Sequence, residues 1–215
     1  MFWNMSNTPQ TATGAHSEGE RTSEAPDDVN LLLAEHQRFA KLITLLEEQI
    51  AQFHRGDQPD YELLRDIFDY MTNYPDRFHH PKEDLVFARL AARKLGAKAH
   101  VIELQRQHRL IAASGTRFLA NLEAALNGTI LPRAAVEEPA LEYINLYRTH
   151  MALEEEQLFP LARSILVAAD WEDAHNAIGT GVDPVFVDRV EDRYRALHRQ
   201  IALAAACCCT EAPPV

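Results

Sequence analysis

The chain carries one arrangement of histidine and glutamate twice. His36 is followed 43 residues later by His79 and then, four further on, by Glu83, while His108 is followed 42 residues later by His150 and, four further on, by Glu154. Equivalent positions of the two halves lie 71 or 72 residues apart, and Phe87 and Phe159 keep the same offset of 72. Residues four apart share one face of a helix on successive turns. His79 with Glu83, and His150 with Glu154, therefore project from one side of their helices. His36 and His108 stand in stripes that are otherwise Leu, Ile and Phe. An ionised carboxylate in an apolar interior is strongly unfavourable unless paired or metal-bound, and the inner faces offer no Lys or Arg at these levels. A cation would supply the missing charge. Two half-sites, each with two imidazoles and one carboxylate, suit two ions bridged by carboxylates, and that donor set favours iron, manganese or zinc over calcium or magnesium.

The segments bearing these residues read as helices. A first helix is expected from Asp27 or Asp28 to about His54, with Leu32, His36, Phe39, Ile43, Leu46 and Ile50 at spacings of three and four. The break around Gly56 and Pro59 ends it. A second helical segment is expected from Asp60 to about Arg93, with a kink or restart near His79 and His80 because Pro75 and Pro81 interrupt it. A third is expected from about Lys98 to Leu126, stopped by Asn127-Gly128-Thr129, and a fourth from near Pro132 to about Ala169, bent at Pro139 and Pro160. No strand pattern competes. The expected fold class is all-α: an antiparallel up-down four-helix bundle over residues 27–169. It is preceded by a flexible arm, residues 1–26, rich in Ser, Thr, Gly and Pro, and followed by a C-terminal helical extension and tail over residues 170–215. In that extension a short helix is expected after Asp170 and a longer one over residues 185–206.

The sign of the charge narrows the partners. A net charge of −11 argues against nucleic acid and anionic membranes, both of which need clustered Lys and Arg. No apolar run approaches the length of a membrane span, and the first residues lack a secretory pattern, so a cytoplasmic protein without membrane contact is expected. Cys207, Cys208 and Cys209 are consecutive in a tail and cannot form a spaced disulfide framework. They read as thiols at a frayed helix end.

The segments HHPKEDLVFARL and HMALEEEQLFPLAR, with LLAEHQRF and LQRQHRLI upstream of them, resemble the hemerythrin-like family, also called HHE cation-binding domains, over about residues 28 to 168. The resemblance implies two non-haem iron ions, oxo- or carboxylate-bridged, with His36, His79, Glu83, His108, His150 and Glu154 as ligands and the two glutamates bridging. It makes His80 a seventh ligand or a supporting group. Spacing alone leaves His79 and His80 in competition, since both share a face with Glu83, and the match to the other half favours His79. Oxygen-carrying members have a His-x-x-x-His pair on the third helix and an aspartate five residues after the last histidine. Here Ala112 lies four after His108, and the carboxylate is Glu154. The resemblance thus implies sensing or redox handling ahead of reversible oxygen carriage.

The leading functional expectation is a metal-binding protein that binds or senses oxygen, nitric oxide, peroxide or iron itself. The alternatives are a redox enzyme acting on peroxide or nitric oxide, and an iron storage or delivery protein. No nucleophile triad, phosphate-binding glycine loop or CxxC pair points to other chemistry. Tyr70, Tyr74, Tyr143 and Tyr147 lie near the ligand turns and read first as packing residues. Glu155 and Glu156 are expected to face water, and His16, His54, His100, His175 and His198 to be ordinary histidines away from the centre.

Overall fold

The computed structural model describes residues 28–178, 183–186 and 192–207. The arm over residues 1–26, His16, the His175 side chain, and Cys208 and Cys209 lie outside the described residues, as does the side chain of Cys207. Among the described residues every regular element is helical, so the chain is all-α as its pattern implies.

Four rods build the bundle. α1 spans Asp28–Arg55 and α4 spans Lys98–Leu126. The second rod joins α2 (Tyr61–Tyr74) to α3 (His80–Arg93), and the fourth joins α5 (Arg133–Leu153) to α6 (Phe159–Ile165). Neighbouring rods run antiparallel. Along the first and fourth rods the bonded pairs are His36 with Glu155, Glu47 with Arg148, and His54 with Glu137; along the third and fourth they are Arg117 with Glu142 and Asn121 with the Ala135 carbonyl. Gly56 leaves α1 in the left-handed region at φ 86°, which a residue with a side chain seldom adopts. Asp60 caps α2, its Oδ1 accepting from the Leu63 amide at 3.0 Å.

The breaks expected in the second and fourth rods are not kinks that end a helix. Each is one π-helical turn, Pro75–His79 and Glu154–Leu158, across which the rod continues. A proline lacks the amide that would bond four residues back, and its ring clashes with that carbonyl. Pro81 and Pro160 stand two residues beyond the turns, so the carbonyls they displace, those of Arg77 and Glu156, lie inside them. Admitting one extra residue lets the chain re-form bonds five apart: the His80 amide donates to the Pro75 carbonyl and the Phe159 amide to the Glu154 carbonyl. Pro139 sits inside α5 without ending it.

The fourth rod stops at Ile165, short of the expected Ala169. The reason is Asp170, whose Oδ2 accepts from the Val167 amide at 3.0 Å and so starts α7 (Ala168–Ile178). α7 lies on α3, held by Trp171 and Ala174 against Val86, Phe87 and Leu90 and by a double contact of Arg93 with Asp170. α8 (Arg195–Cys207) begins later than the expected residue 185, after a tight turn over Asp192–Tyr194. It lies against α2, with Tyr194, Leu197 and Ile201 entering the core.

The apolar interior comes in two parts. One gathers Phe39 to Ile50 of α1 with Leu64 to Met71, Ile111 to Leu122 and Ala140 to Tyr147. The other gathers Val29 and Leu32 with Val86 to Leu90, Val101, Leu104, Leu158 and Ala162. Between them, at one level of all four rods, lies a layer of histidine and glutamate.

Candidate metal centre

All seven residues singled out in the sequence meet in that layer and are buried: Glu83, His150 and Glu154 are 0% exposed, and the most open, His108, is 8% exposed. Potential donor atoms fall into two groups. His36, His79 and Glu83 form one; His80, Glu83, His108 and His150 form the other, with the donor atoms of each group within 4.8 Å of one another. Glu83 belongs to both. Glu154 also spans them, with Oε2 at 3.3 Å from His36 Nε2 and 3.2 Å from His150 Nε2, and Oε1 at 4.0 Å from His108 Nε2. The structure brings both His79 and His80 into the layer, in different groups. His79 faces the first group, with Nε2 3.1 Å from Glu83 Oε1, and His80 faces the second, its ring stacked on that of His108 at 4.4 Å. The π turn that ends at His79 lets two consecutive side chains both reach the interior.

The imidazoles are steered from behind. His36 Nδ1 lies 2.9 Å from Glu155, His79 Nδ1 2.8 Å from Glu35, His80 Nδ1 3.0 Å from Asp76 and His108 Nδ1 3.1 Å from Asp84. A carboxylate that accepts a hydrogen bond from Nδ1–H holds the proton on that nitrogen and leaves the Nε2 lone pair facing inward, the usual support of a metal-binding histidine. Glu155 was expected to face water. Its side chain is 45% exposed yet reaches His36, because the π turn rotates it toward α1. Glu35, Asp76 and Asp84 went unnoticed in the sequence. Their signal was adjacency: Glu35 and Asp84 are next to His36 and Glu83, and Asp76 is one helical turn before His80. Tyr74 extends the support by donating to Glu35 at 2.7 Å. Tyr70 donates instead to Asp183 of the C-terminal extension, at 3.1 Å.

The electrostatics ask for a cation. None of the four carboxylate oxygens of Glu83 and Glu154 receives a hydrogen bond, and neither ring nitrogen of His150 nor Nε2 of His108 makes one, among the described residues. Buried polar atoms are otherwise almost always satisfied. Burial disfavours a charged His36, but Glu154 and Glu83 overcome it and raise its pKa to about 11; His79, equally burdened by burial, is raised by Glu83 and Glu35 to about 9. Burial lowers His80 to about 4 despite Asp76. Burial, with Glu83 close by, pushes the Glu154 carboxyl well above its ordinary range. Protons and a metal ion thus compete for the same lone pairs, and nitrogen with carboxylate oxygen is a donor set that transition metals take readily. His54 and His198 are far from this layer, the first beside Glu137 and the second beside the Val185 carbonyl, and His100 is exposed.

An all-α bundle with a buried histidine and glutamate layer at mid-height defines a helical metal-binding protein. The family model described as the hemerythrin HHE cation binding domain matches residues 27–162, and the chain belongs to that family. It is similar to uncharacterized proteins of Mycobacterium tuberculosis, Rv1995, and Mycobacterium bovis, Mb2018, at 25% identity over 183 residues, which is 80% of this chain and 70% of each of theirs. No solved structure matches the chain significantly. No helix among the described residues is long and apolar enough to cross a membrane.

Proposed function

We propose that the protein holds two iron ions in this layer and uses them to bind or sense a small molecule such as nitric oxide, peroxide or oxygen. One observation supports it above the rest: two donor groups share Glu83, and the oxygens of both central carboxylates have no hydrogen-bond donor. In this reading His36 and His79 hold one ion, His80, His108 and His150 hold the other, and Glu83 and Glu154 lie between. Iron in such a nitrogen and oxygen environment supplies electron transfer and Lewis acidity toward small ligands. The protein's own part is to exclude water, fix the imidazole tautomers through Glu155, Glu35, Asp76 and Asp84, and leave the first ion with fewer nitrogen donors than the second. Residues 27–169 would form the cation-binding unit and residues 170–215 an extension to it, in a cytoplasmic setting.

The test is elemental analysis of purified protein with an optical spectrum as isolated and after addition of nitric oxide or peroxide. About two irons per chain and a spectrum that responds to the added ligand support the reading. One ion per chain, or a bound metal indifferent to both ligands, overturns it.

A further inference from the structure

Three buried tyrosines stand in series where α2 meets the C-terminal extension. Tyr74 stacks on Tyr70 with ring centres 5.7 Å apart, and Tyr194 meets Tyr70 edge-on at 5.9 Å. Each phenol donates to a different carboxylate: Tyr74 to Glu35 at 2.7 Å, Tyr70 to Asp183 at 3.1 Å and Tyr194 to Asp69 at 2.7 Å. The inner end of the series joins the metal layer at His79, whose Nδ1 lies 2.8 Å from Glu35. Phe39 makes a second link, edge-on to His79 at 4.9 Å and 6.4 Å from Tyr70. The outer end reaches water through Asp69, which is half-exposed, and through the exposed Arg193, whose guanidinium lies over the Tyr194 ring at 4.5 Å. Tyr143 and Tyr147 are as deeply buried and differ in this respect. The Tyr143 hydroxyl makes no hydrogen bond among the described residues, and that of Tyr147 meets His80 Nε2 at 3.4 Å.

A buried hydroxyl needs an acceptor, but a backbone carbonyl would serve at lower cost than a carboxylate drawn out of water. Carboxylates on three neighbouring phenols point to proton transfer. An oxidised phenol is a strong acid, so a buried tyrosine yields an electron readily where a base takes its proton at the same moment. Burial, with Glu35 and Asp183 close by, holds the Tyr74 and Tyr70 phenols well above their ordinary pKa, so they keep their protons until an electron leaves.

We infer that Tyr74, Tyr70 and Tyr194 form an electron relay into the layer: each phenol yields one electron toward the ions and passes its proton to its own carboxylate, so that peroxide is reduced there at the expense of a donor outside the protein. The inference rests on the di-iron reading above and narrows its small molecule to peroxide. Hydrogen peroxide takes two electrons from two tyrosines and two protons from solvent and becomes two waters, while the phenols become tyrosyl radicals and their protons rest on two carboxylates. A quinol such as hydroquinone then returns two electrons one at a time and becomes the quinone. The carboxylates give the protons back to the phenols, and the two protons the quinol loses replace those drawn from solvent. The relay enters at His79, in the group with fewer nitrogen donors.

The test mixes the iron-loaded full chain with hydrogen peroxide, freezes it rapidly and records electron paramagnetic resonance. We expect a tyrosyl signal that narrows when the protein carries ring-deuterated tyrosine. The signal should disappear in the double variant Tyr70→Phe with Tyr74→Phe, which keeps both rings, and persist in Tyr143→Phe. Tyr194→Phe should still form the radical but slow its quenching by added hydroquinone, an effect that a packing role would not produce. Three outcomes overturn the inference and leave the di-iron reading intact: no tyrosyl signal from protein that holds two irons and changes its optical spectrum with peroxide, a signal unaltered in the iron-loaded double variant, or equal quenching by hydroquinone in the unaltered protein and Tyr194→Phe. A chain that holds no iron removes the di-iron reading, and this inference with it.

Discussion

Each candidate ligand has a different reach, and the differences make sharp expectations. Glu83 serves both donor groups, whereas His36 serves one. Glu83→Ala should therefore abolish iron binding outright, while His36→Ala should lower the content toward one ion per chain, measured by elemental analysis of protein with unchanged helical circular dichroism. Glu35 acts from behind His79 and should be milder. Glu35→Gln keeps its size but weakens its acceptance from His79 Nδ1, and should reduce iron affinity about 10- to 100-fold in a chelator competition. These residues were unequally legible in the sequence. The six candidate ligands stood out because a carboxylate and an imidazole on one apolar stripe have no cheap alternative fate. His80 was ambiguous because positions three and four before Glu83 both share its face, and the structure brings both inward at the end of a widened turn. Glu35, Asp76, Asp84 and Glu155 were invisible as a set, since an acidic residue at the edge of a helix is ordinarily solvated.

At the level of elements, the helices followed from spacing and the joints did not. Pro81 and Pro160 flagged trouble in the right places, but a proline can kink a helix, end it or widen one turn, and tertiary packing on both sides of the layer selects the last. The end of α6 was missed because Asp170 competes for the Val167 amide, a local contest that periodicity cannot register. Asp170 also offers a pH test. Its burial opposes ionisation, but Arg93 and the Val167 amide outweigh that and hold its pKa below the ordinary carboxylate value. A depressed folded pKa contributes stability above the unfolded value, near 3.9, and that contribution is lost as pH falls through the folded value. The α7 contact should hold from neutral pH down to about 4 and weaken below it, seen as faster amide exchange in residues 168–178; Asp170→Asn should remove that pH dependence. A second test falls where α4 crosses α2 and α5. A Cβ at Gly115 would meet Thr72 Cγ2 at 2.8 Å. Gly115→Ala should destabilise the fold by about 1–3 kcal/mol in urea unfolding, since overpacking there outweighs the alanine's better helix propensity.

For the whole molecule, bound ions and fold stability are one equilibrium. Anything that binds the folded chain alone stabilises it in proportion to the logarithm of its concentration over its dissociation constant, about 4 kcal/mol at a thousandfold excess. For a chain of this length each kcal/mol moves the midpoint by roughly 2–4 °C. Removing iron with a chelator should therefore lower the thermal midpoint by about 10 °C by calorimetry, and adding iron back should restore it. The fold class was fully legible at this scale because four amphipathic stripes with short joins have few other ways to pack. The placement of α7 on α3 and α8 on α2 was not, since a short apolar face does not name the surface it will cover.

The interrupted core has a further consequence. A polar stratum of this kind is a seam in the packing: apolar side chains close up on either side of it, while its own groups lack the partners that would balance them. Filling the seam with leucine and phenylalanine would give a sturdier protein, welded shut and deaf to its medium. The chain as it stands keeps instead a layer whose carboxylates and imidazoles call for a cation, so that holding metal and holding the fold are linked.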